Sequence, residues 1–371
     1  MVAEGRSITY ARLAECRAPV RAPLVQEARG TIRFAAHLWA AWESGMPFVP
    51  VDPRLGAPPA PIDAPPGTAT VIFTSGTTGE PKPVYLTAAN HEASAIASAW
   101  NLGVDPGDRW LCCLPLWHVG GLSILHRSAL YGTTAVLHDG FHAQRVREEL
   151  ESGGITQVSL VATMLRRLID AGLGEWPTLR AALVGGGPVP SDLVEWAAGT
   201  GFPLIQTYGM TETASQVVTG GRPLLGVDLE IAADGEILVS GPMVAPGATS
   251  EDGWLHTGDR GRLDANGSLH VEGRLDDMIV TGGENVAAAE VEAALLSHPA
   301  VADAAVVGQP NPEWGEAVTA YVVLAAEASD DELLTHCRQR LAAFKVPKSV
   351  HRRDELPRNA AGKLLRRCLA E

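Results

Sequence analysis

Cysteine is scarce in this chain of 371 residues: Cys16, Cys112, Cys113, Cys337 and Cys368 form no C-x-x-C pair and no even framework. Neither a zinc site nor a disulfide scaffold is indicated, and a reducing cytoplasm fits. Positive charge is also short. Lys and Arg number 29 against 43 Asp and Glu, a formal charge of −14, which argues against nucleic acid or an anionic membrane as the main partner. No run approaches the roughly 18 apolar residues of a membrane span. No apolar core of signal-peptide length follows Met1-Val2-Ala3-Glu4-Gly5-Arg6. What is present is a 46% apolar composition, enough for a substantial core, in a length that suggests two domains.

The most informative stretch is Thr74-Ser75-Gly76-Thr77-Thr78-Gly79-Glu80-Pro81-Lys82, into which the apolar run Ala69 to Phe73 empties. Glycines let a backbone come close to an anion, hydroxyls donate to it and Lys82 adds a cation, so the stretch reads as a phosphate cradle. It is not the Walker loop, because no glycine stands immediately before a Lys-Ser/Thr pair. A Ser/Gly-rich surface turn is the competing reading.

Helices and strands alternate through the first half, as expected of a parallel α/β sheet. The pattern predicts helices over Thr31 to Glu43, Thr87 to Trp100 and Ala162 to Leu173. It predicts strands over Trp110 to Leu114, Val136 to His138, Ile155 to Val161 and Ala181 to Val184. Gly185-Gly186-Gly187 at a strand end either admits a flat ligand or makes a tight turn. Past Asp228 the turns Asp234-Gly235 and Asn266-Gly267 mark antiparallel strands. From Met278 onward a small α+β unit follows, with a helix predicted over Asp330 to Ala343. Taken alone, His118 is a loop histidine, Glu212 a solvated glutamate and Lys363 a solvated charge.

Residue order speaks for more. The loop resembles the signature of the adenylate-forming enzymes, the superfamily of acyl-CoA synthetases, luciferases and peptide-synthetase adenylation domains. Further matching segments are Pro115-Leu116-Trp117-His118-Val119-Gly120-Gly121, Tyr208-Gly209-Met210-Thr211-Glu212, Gly253-Trp254-Leu255-His256-Thr257-Gly258-Asp259, Arg274-Leu275-Asp276 and Leu356-Pro357-Arg358-Asn359-Ala360-Ala361-Gly362-Lys363. The resemblance implies an α/β fold: a large N-terminal domain of mixed parallel and antiparallel sheets with flanking helices, shortened at its start, over 1–275. A small mobile α+β domain would cover 276–371, hinged at Asp276.

The resemblance also implies a division of labour. Thr74, Ser75, Gly76, Thr77, Thr78, Gly79 and Lys82 hold the ATP phosphates. Gly185, Gly186, Gly187, Tyr208 and Gly209 lie at the adenine, and Thr211 donates to the α-phosphate. Asp259 and Arg274 take the ribose, Glu212 holds Mg²⁺ and His118 walls the acid pocket. Lys363 grips the reacting oxygens, and Gly282 and Gly283 face coenzyme A. The implied reaction is ATP-dependent formation of an acyl-adenylate and then an acyl-CoA thioester.

A short chain with all the nucleotide motifs most resembles ligases acting on o-succinylbenzoate in menaquinone biosynthesis. Such an aryl dicarboxylic acid wants a cation for its non-reacting carboxylate, and Arg166, Arg167 and Arg222 are candidates by chain position. Ligases for benzoates or medium-chain acids are an alternative. A non-catalytic adenylate sensor is another, against which the joint presence of Lys363, Glu212, Asp259 and Arg274 speaks. Amino-acid activation is disfavoured, because no aspartate for an ammonium group stands near His118. Homodimerisation is one way to cover a sheet edge left by the shortened start.

Overall fold

The computed structural model describes residues 1–3, 5–15, 19–54, 62–75, 81–358 and 364–369. The chain divides into two compact units. One comprises Met1–Gly187, Glu195–Glu230 and Leu238–His256; the other comprises Pro188–Val194, Ile231–Ile237 and Thr257–Glu371.

The first unit is built on a nine-stranded sheet. In spatial order its strands are Arg222–Pro223, Ser215–Thr219, Leu204–Met210, Ala181–Val184, Gln157–Leu160, Arg109–Cys112, Thr134–Leu137, Val2–Ala3 and Arg6–Ser7. The run from Leu204–Met210 to Val2–Ala3 is parallel, and antiparallel strands close both ends. Gln157–Leu160 and Ala181–Val184 are buried at every position, as interior parallel strands covered on both faces must be. A second, four-stranded sheet is ordered Leu24–Glu27, Phe48–Val51, Thr68–Ser75, Pro81–Thr87. Its last strand was not expected, since Pro81 and Pro83 deny it donors; an edge position tolerates them.

Helix starts follow local chemistry. Thr31 caps Ile32–Glu43 by accepting from the Phe34 N–H. Thr87 and Asn90 form a reciprocal capping box on Ala88–Leu102. The core packs Phe34, Leu38, Phe48, Ile72, Leu86, Trp110, Leu122 and Leu125 together. Among the described residues no helix is long and apolar enough to cross a membrane.

In the second unit Met278–Thr281, Glu284–Ala287, Gly315–Leu324, Val301–Asn311 and Ser349–Arg352 make a five-stranded sheet. It shares a core with the helices Ala288–Leu296 and Asp330–Arg338 through Val291, Leu295, Val306, Val318, Val322 and Leu333. The second helix stops short of the expected Ala343, and a 3₁₀ turn takes over at Ala343–Lys345. Residues from Thr257 to Leu275, expected with the first domain, group with this unit. A β-carbon at Gly273 would lie only 3.6 Å from that of Ala287, so the strand Leu269–Arg274 packs directly on the start of the Ala288–Leu296 helix.

One buried titratable group shapes stability. His91 is 2% exposed, bonded to Thr70 Oγ1 at 3.0 Å and stacked near Trp42 and His126. Burial, with the nearby His126 and Arg127, lowers its pKa to about 3. A folded-state pKa below the unfolded value of about 6.5 means that stability is complete above that value and falls as pH drops toward 3. At pH 5 the loss from His91 is about 2 kcal/mol. Urea melts between pH 7.5 and 5 should show this decline, and H91Q should flatten it; an unchanged slope in H91Q would remove His91 as the cause.

Candidate active site

The described residues bracket the phosphate loop. Thr74 pairs with Lys82 and Ser75 with Pro81 across an antiparallel hairpin, and the Thr74 hydroxyl donates to the Lys82 carbonyl at 3.3 Å. Lys82 is exposed. The loop residues Gly76, Thr77, Thr78 and Gly79 lie outside the described residues, as does Lys363. Flanking the latter, Arg358 and Leu364 form an antiparallel bridge, and the Leu365 N–H donates to the Pro357 carbonyl at 2.8 Å.

Two of the expected adenine glycines answer to the protein itself. A β-carbon at Gly185 would stand 2.3 Å from Thr207 Oγ1, and one at Gly209 would stand 2.0 Å from the Ser215 carbonyl oxygen. Gly186 turns the chain at φ +75°, and the space around Gly187 is open. Tyr208 is half-buried on the strand that leads into the next turn.

That turn, Thr211–Thr213, is held from several sides. The Thr213 hydroxyl accepts from the Met210 N–H at 3.1 Å and lies 2.7 Å from the Ser215 carbonyl, to which it donates. The Glu212 carbonyl accepts from the Ala245 N–H at 2.7 Å. The Ala214 carbonyl accepts from the Ser94 hydroxyl at 2.9 Å. Immediately after it, Ala214 and Ser215 adopt φ +51° and +110°, a strained conformation costing about 1–3 kcal/mol per residue. The main chain of Glu212 is thus fixed while its carboxylate and the Thr211 hydroxyl belong to half-buried side chains. A single carboxylate suits Mg²⁺, which takes its other positions from phosphate and water.

His118 stands at the head of the helix Val119–Tyr131, its side chain uninvolved in capping. Although the residue is exposed by area, surrounding protein desolvates the imidazolium and lowers its pKa; Asp52 opposes this and Arg54 adds to it. Burial would raise the pKa of Asp52, but hydrogen bonds and charge from Arg54, with His118, more than offset that and hold the carboxyl below its usual range. Arg54 Nη2 reaches Asp52 Oδ2 at 2.6 Å, and its guanidinium lies 5.4 Å from the Trp117 ring, next to His118. Sequence reasoning missed this group.

It also missed Arg127, 2% exposed on the same helix. Its Nη2 donates to Ser94 Oγ at 3.1 Å and its guanidinium lies 5.7 Å from the Trp110 ring, while Nε finds no partner. Among the described residues no carboxylate pairs with it. Burial presses its pKa down, Tyr131 opposing. Ser94 therefore touches both Arg127 and the carbonyl that closes the Glu212 turn. The available signal was an arginine inside the apolar helix Leu122 to Leu130. Of the arginines expected for the acid, Arg166 is half-buried while Arg167 and Arg222 are exposed.

In the second unit Asp259 pairs with Arg274 across a hairpin, Arg274 Nη1 donating to Asp259 Oδ1 at 3.0 Å and to the Thr257 carbonyl at 2.9 Å. Gly258, at φ +67°, leaves room for that guanidinium, since a β-carbon there would meet Arg274 Nη2 at 2.7 Å. The two residues expected at the ribose are therefore neighbours. Asp276 is exposed in the 3₁₀ turn Leu275–Asp277. Gly282 and Gly283, at φ +59° and +83°, form the two-residue turn of the hairpin Met278–Thr281/Glu284–Ala287, as a right-twisted hairpin prefers. The half-exposed Trp314 lies against Gly282, and Lys348 Nζ stands 4.8 Å from its ring.

The chain matches the AMP-binding enzyme family over residues 57–248 and the AMP-binding enzyme C-terminal domain over 290–363. It is 44% identical over 334 residues to the 2-succinylbenzoate–CoA ligase of Bacillus thuringiensis, covering 81% of this chain and 69% of that protein. Among solved structures it is similar to o-succinylbenzoate CoA synthetase from Bacillus subtilis in complex with its acyl-adenylate intermediate. There the TM-score is 0.89 at 34% identity, over 100% of this chain and 94% of the other. The same enzyme with ATP and magnesium ion gives 0.88 at 34% identity, over 100% and 96%.

The two kinds of glycine separate in a stability test. G209A should lower the unfolding free energy by about 2–4 kcal/mol, because backbone has to move. G187A, facing open space, should stay within about 0.5 kcal/mol of the parent. Equal melting of the two proteins would contradict the close approach at Ser215.

Proposed function

The chain belongs to the family of AMP-binding enzymes, and on that premise we propose that it is an ATP-dependent acid–CoA ligase acting on 2-succinylbenzoate in menaquinone biosynthesis. The observation that carries the choice of acid is Arg127. A buried guanidinium with no carboxylate partner is costly, and a dicarboxylic acid that presents one carboxylate to ATP has a second to place beside it. Benzoate and octanoate have none.

In the first half-reaction a carboxylate oxygen attacks the α-phosphorus of ATP, the bond to pyrophosphate breaks, and an acyl-adenylate forms. Like charges meet in this step. Lys363, the hydroxyls and amides of the Thr74 to Lys82 loop and the Thr211 hydroxyl offset the repulsion and stabilise charge developing at phosphorus. Mg²⁺ held by Glu212 would neutralise phosphate charge there. Asp259 and Arg274 hold the ribose, and Tyr208 with Gly185, Gly186 and Gly187 borders the adenine. Arg54 and Asp52 steady Trp117 and His118 at the acid.

In the second half-reaction the thiol sulfur of coenzyme A, its proton lost, attacks the acyl carbon and AMP leaves. Residues beyond Asp276 rotate between the two steps, withdrawing Lys363 and bringing up Gly282 and Gly283. The side-chain-free surface of that turn suits the narrow pantetheine arm, with the Trp314 ring and the Lys348 ammonium beside it. A cytoplasmic setting without nucleic acid is part of the same reading. It is supported by thiols at Cys112, Cys113, Cys337 and Cys368 that form no disulfide, and by the net charge of −14.

Pyrophosphate release from ATP and Mg²⁺ should depend on 2-succinylbenzoate, fail with benzoate and octanoate, and fall at least about 100-fold in K363A. R127Q should raise KM for 2-succinylbenzoate by about tenfold or more with a smaller change in kcat. Turnover on another acid alone would keep the ligase and displace the substrate; ATP binding without turnover on any acid would favour a sensor. D276P should keep adenylate formation and impair thioester formation, whereas equal loss of both half-reactions would remove the hinge. W314A should raise KM for coenzyme A and leave acid-dependent pyrophosphate release unchanged; no change in that KM would remove Trp314 from the thiol's path.

A further inference from the structure

The helix Ala88–Leu102 is inverted in polarity. Its buried side carries Asn90, His91, Ser94, Ala95, Ala97 and Ser98, while its solvent side presents Ile96 at 49% and Trp100 at 79% exposure. Val104, just past the Gly103 cap, is 43% exposed, and Leu130 on the neighbouring helix is 46% exposed. The Leu130 backbone is brought close because the hydroxyl of the next residue, Tyr131, donates to the Ala95 carbonyl. The two ordinary uses of a helix face, large apolar residues inward and charge outward, are exchanged. None of the residues assigned to ATP, acid or coenzyme A lies on this face.

We propose that this face joins two copies of the chain in a twofold dimer, Trp100 of each copy packing on the partner's Ile96. Three observations select a second copy as the occupant. Each chain carries a net charge of −14, so two copies approach only where neither presents charge. This helix exposes a single charged side chain, Glu92, while Asp105 and the Arg180–Asp108 pair stand at the rim beyond its C-terminus. The surface is also self-complementary, because the half-buried Ala93 and Ala99 leave hollows beside Ile96 and Trp100 into which large side chains from an antiparallel copy fit. A self-complementary patch closes on itself and makes a dimer rather than a filament. Finally, the four side chains leave roughly 400 Å² of apolar surface in water, within the size range that marks interaction sites. That supplies an apolar centre for the ~800 Å² per partner of a standard interface, with polar neighbours as its rim.

Sedimentation velocity on the full chain from about 1 to about 100 µM tests this directly. The expected result is a dimer that dissociates on dilution. W100E and I96E should each weaken it at least about tenfold, with wild-type melting temperature and unchanged pyrophosphate release per chain. Since that release is measured separately, failure of the ligase reading and failure of the dimer are distinguishable. W100A, which adds no charge, guards against a variant that fails to fold and should weaken the dimer in the same direction. A protein that stays monomeric at about 100 µM overturns the proposal, and so does one that instead sediments with phosphatidylglycerol vesicles through Trp100. Dimers that persist undiminished in both glutamate variants place the contact elsewhere and overturn it as well.

Discussion

Backbone crowding at the end of the strand Leu204–Met210 is the constraint on which the first unit's half of the site rests. Its antiparallel neighbour comes so close at Ser215 that Gly209 has no room for a β-carbon, and the chain between them turns within Thr211–Thr213. To rejoin the neighbouring strand, Ala214 and Ser215 take backbone angles that side-chain-bearing residues avoid. Strain of this kind persists only where surroundings over-determine it. Here the surroundings are hydrogen bonds from Ala245, Ser94 and the Thr213 hydroxyl. The side chains of Thr211 and Glu212 are aimed by a main chain that has no other conformation to adopt.

Electrostatics then works locally against a global deficit. The protein is acidic, yet its proposed reaction joins anions, so each favourable charge is placed where dielectric screening is weak. Arg127 is the clearest instance. Its burial is unfavourable in the isolated protein, and its only polar contact is a serine hydroxyl. A group kept under those conditions gains more from a matching charge than the same group at the surface, and it excludes acids that leave it unpaired.

Much of this was legible in residue order and little in composition. Thr31, Thr87 and the strand Ala181–Val184 follow from capping chemistry and apolar runs, and the nucleotide motifs were readable because they are local in sequence. Pro81–Thr87 was not, since prolines argue against a strand until the chain is known to lie at a sheet edge. Arg127, the Asp52–Arg54 pair and Trp314 were missed for a common reason: each owes its role to partners 33 or more residues away, as Arg127 does to Ser94. Gly185 and Gly209 were read as ligand contacts, and the structure gives each a steric duty of its own.

Arg366 joins Asp277 Oδ2 at 2.8 Å and both oxygens of Glu292 at 2.7 and 2.8 Å. Burial raises the pKa of Glu292, Arg366 opposing. Arg366 stands three positions after Lys363 and Asp277 one position after Asp276, so a single guanidinium rivets the chain beyond the lysine to the residue beside the pivot. A torsional change at Asp276 is thereby transmitted along a crank rather than dissipated in a slack tether. Timing between the two half-reactions then becomes a property of one short linkage.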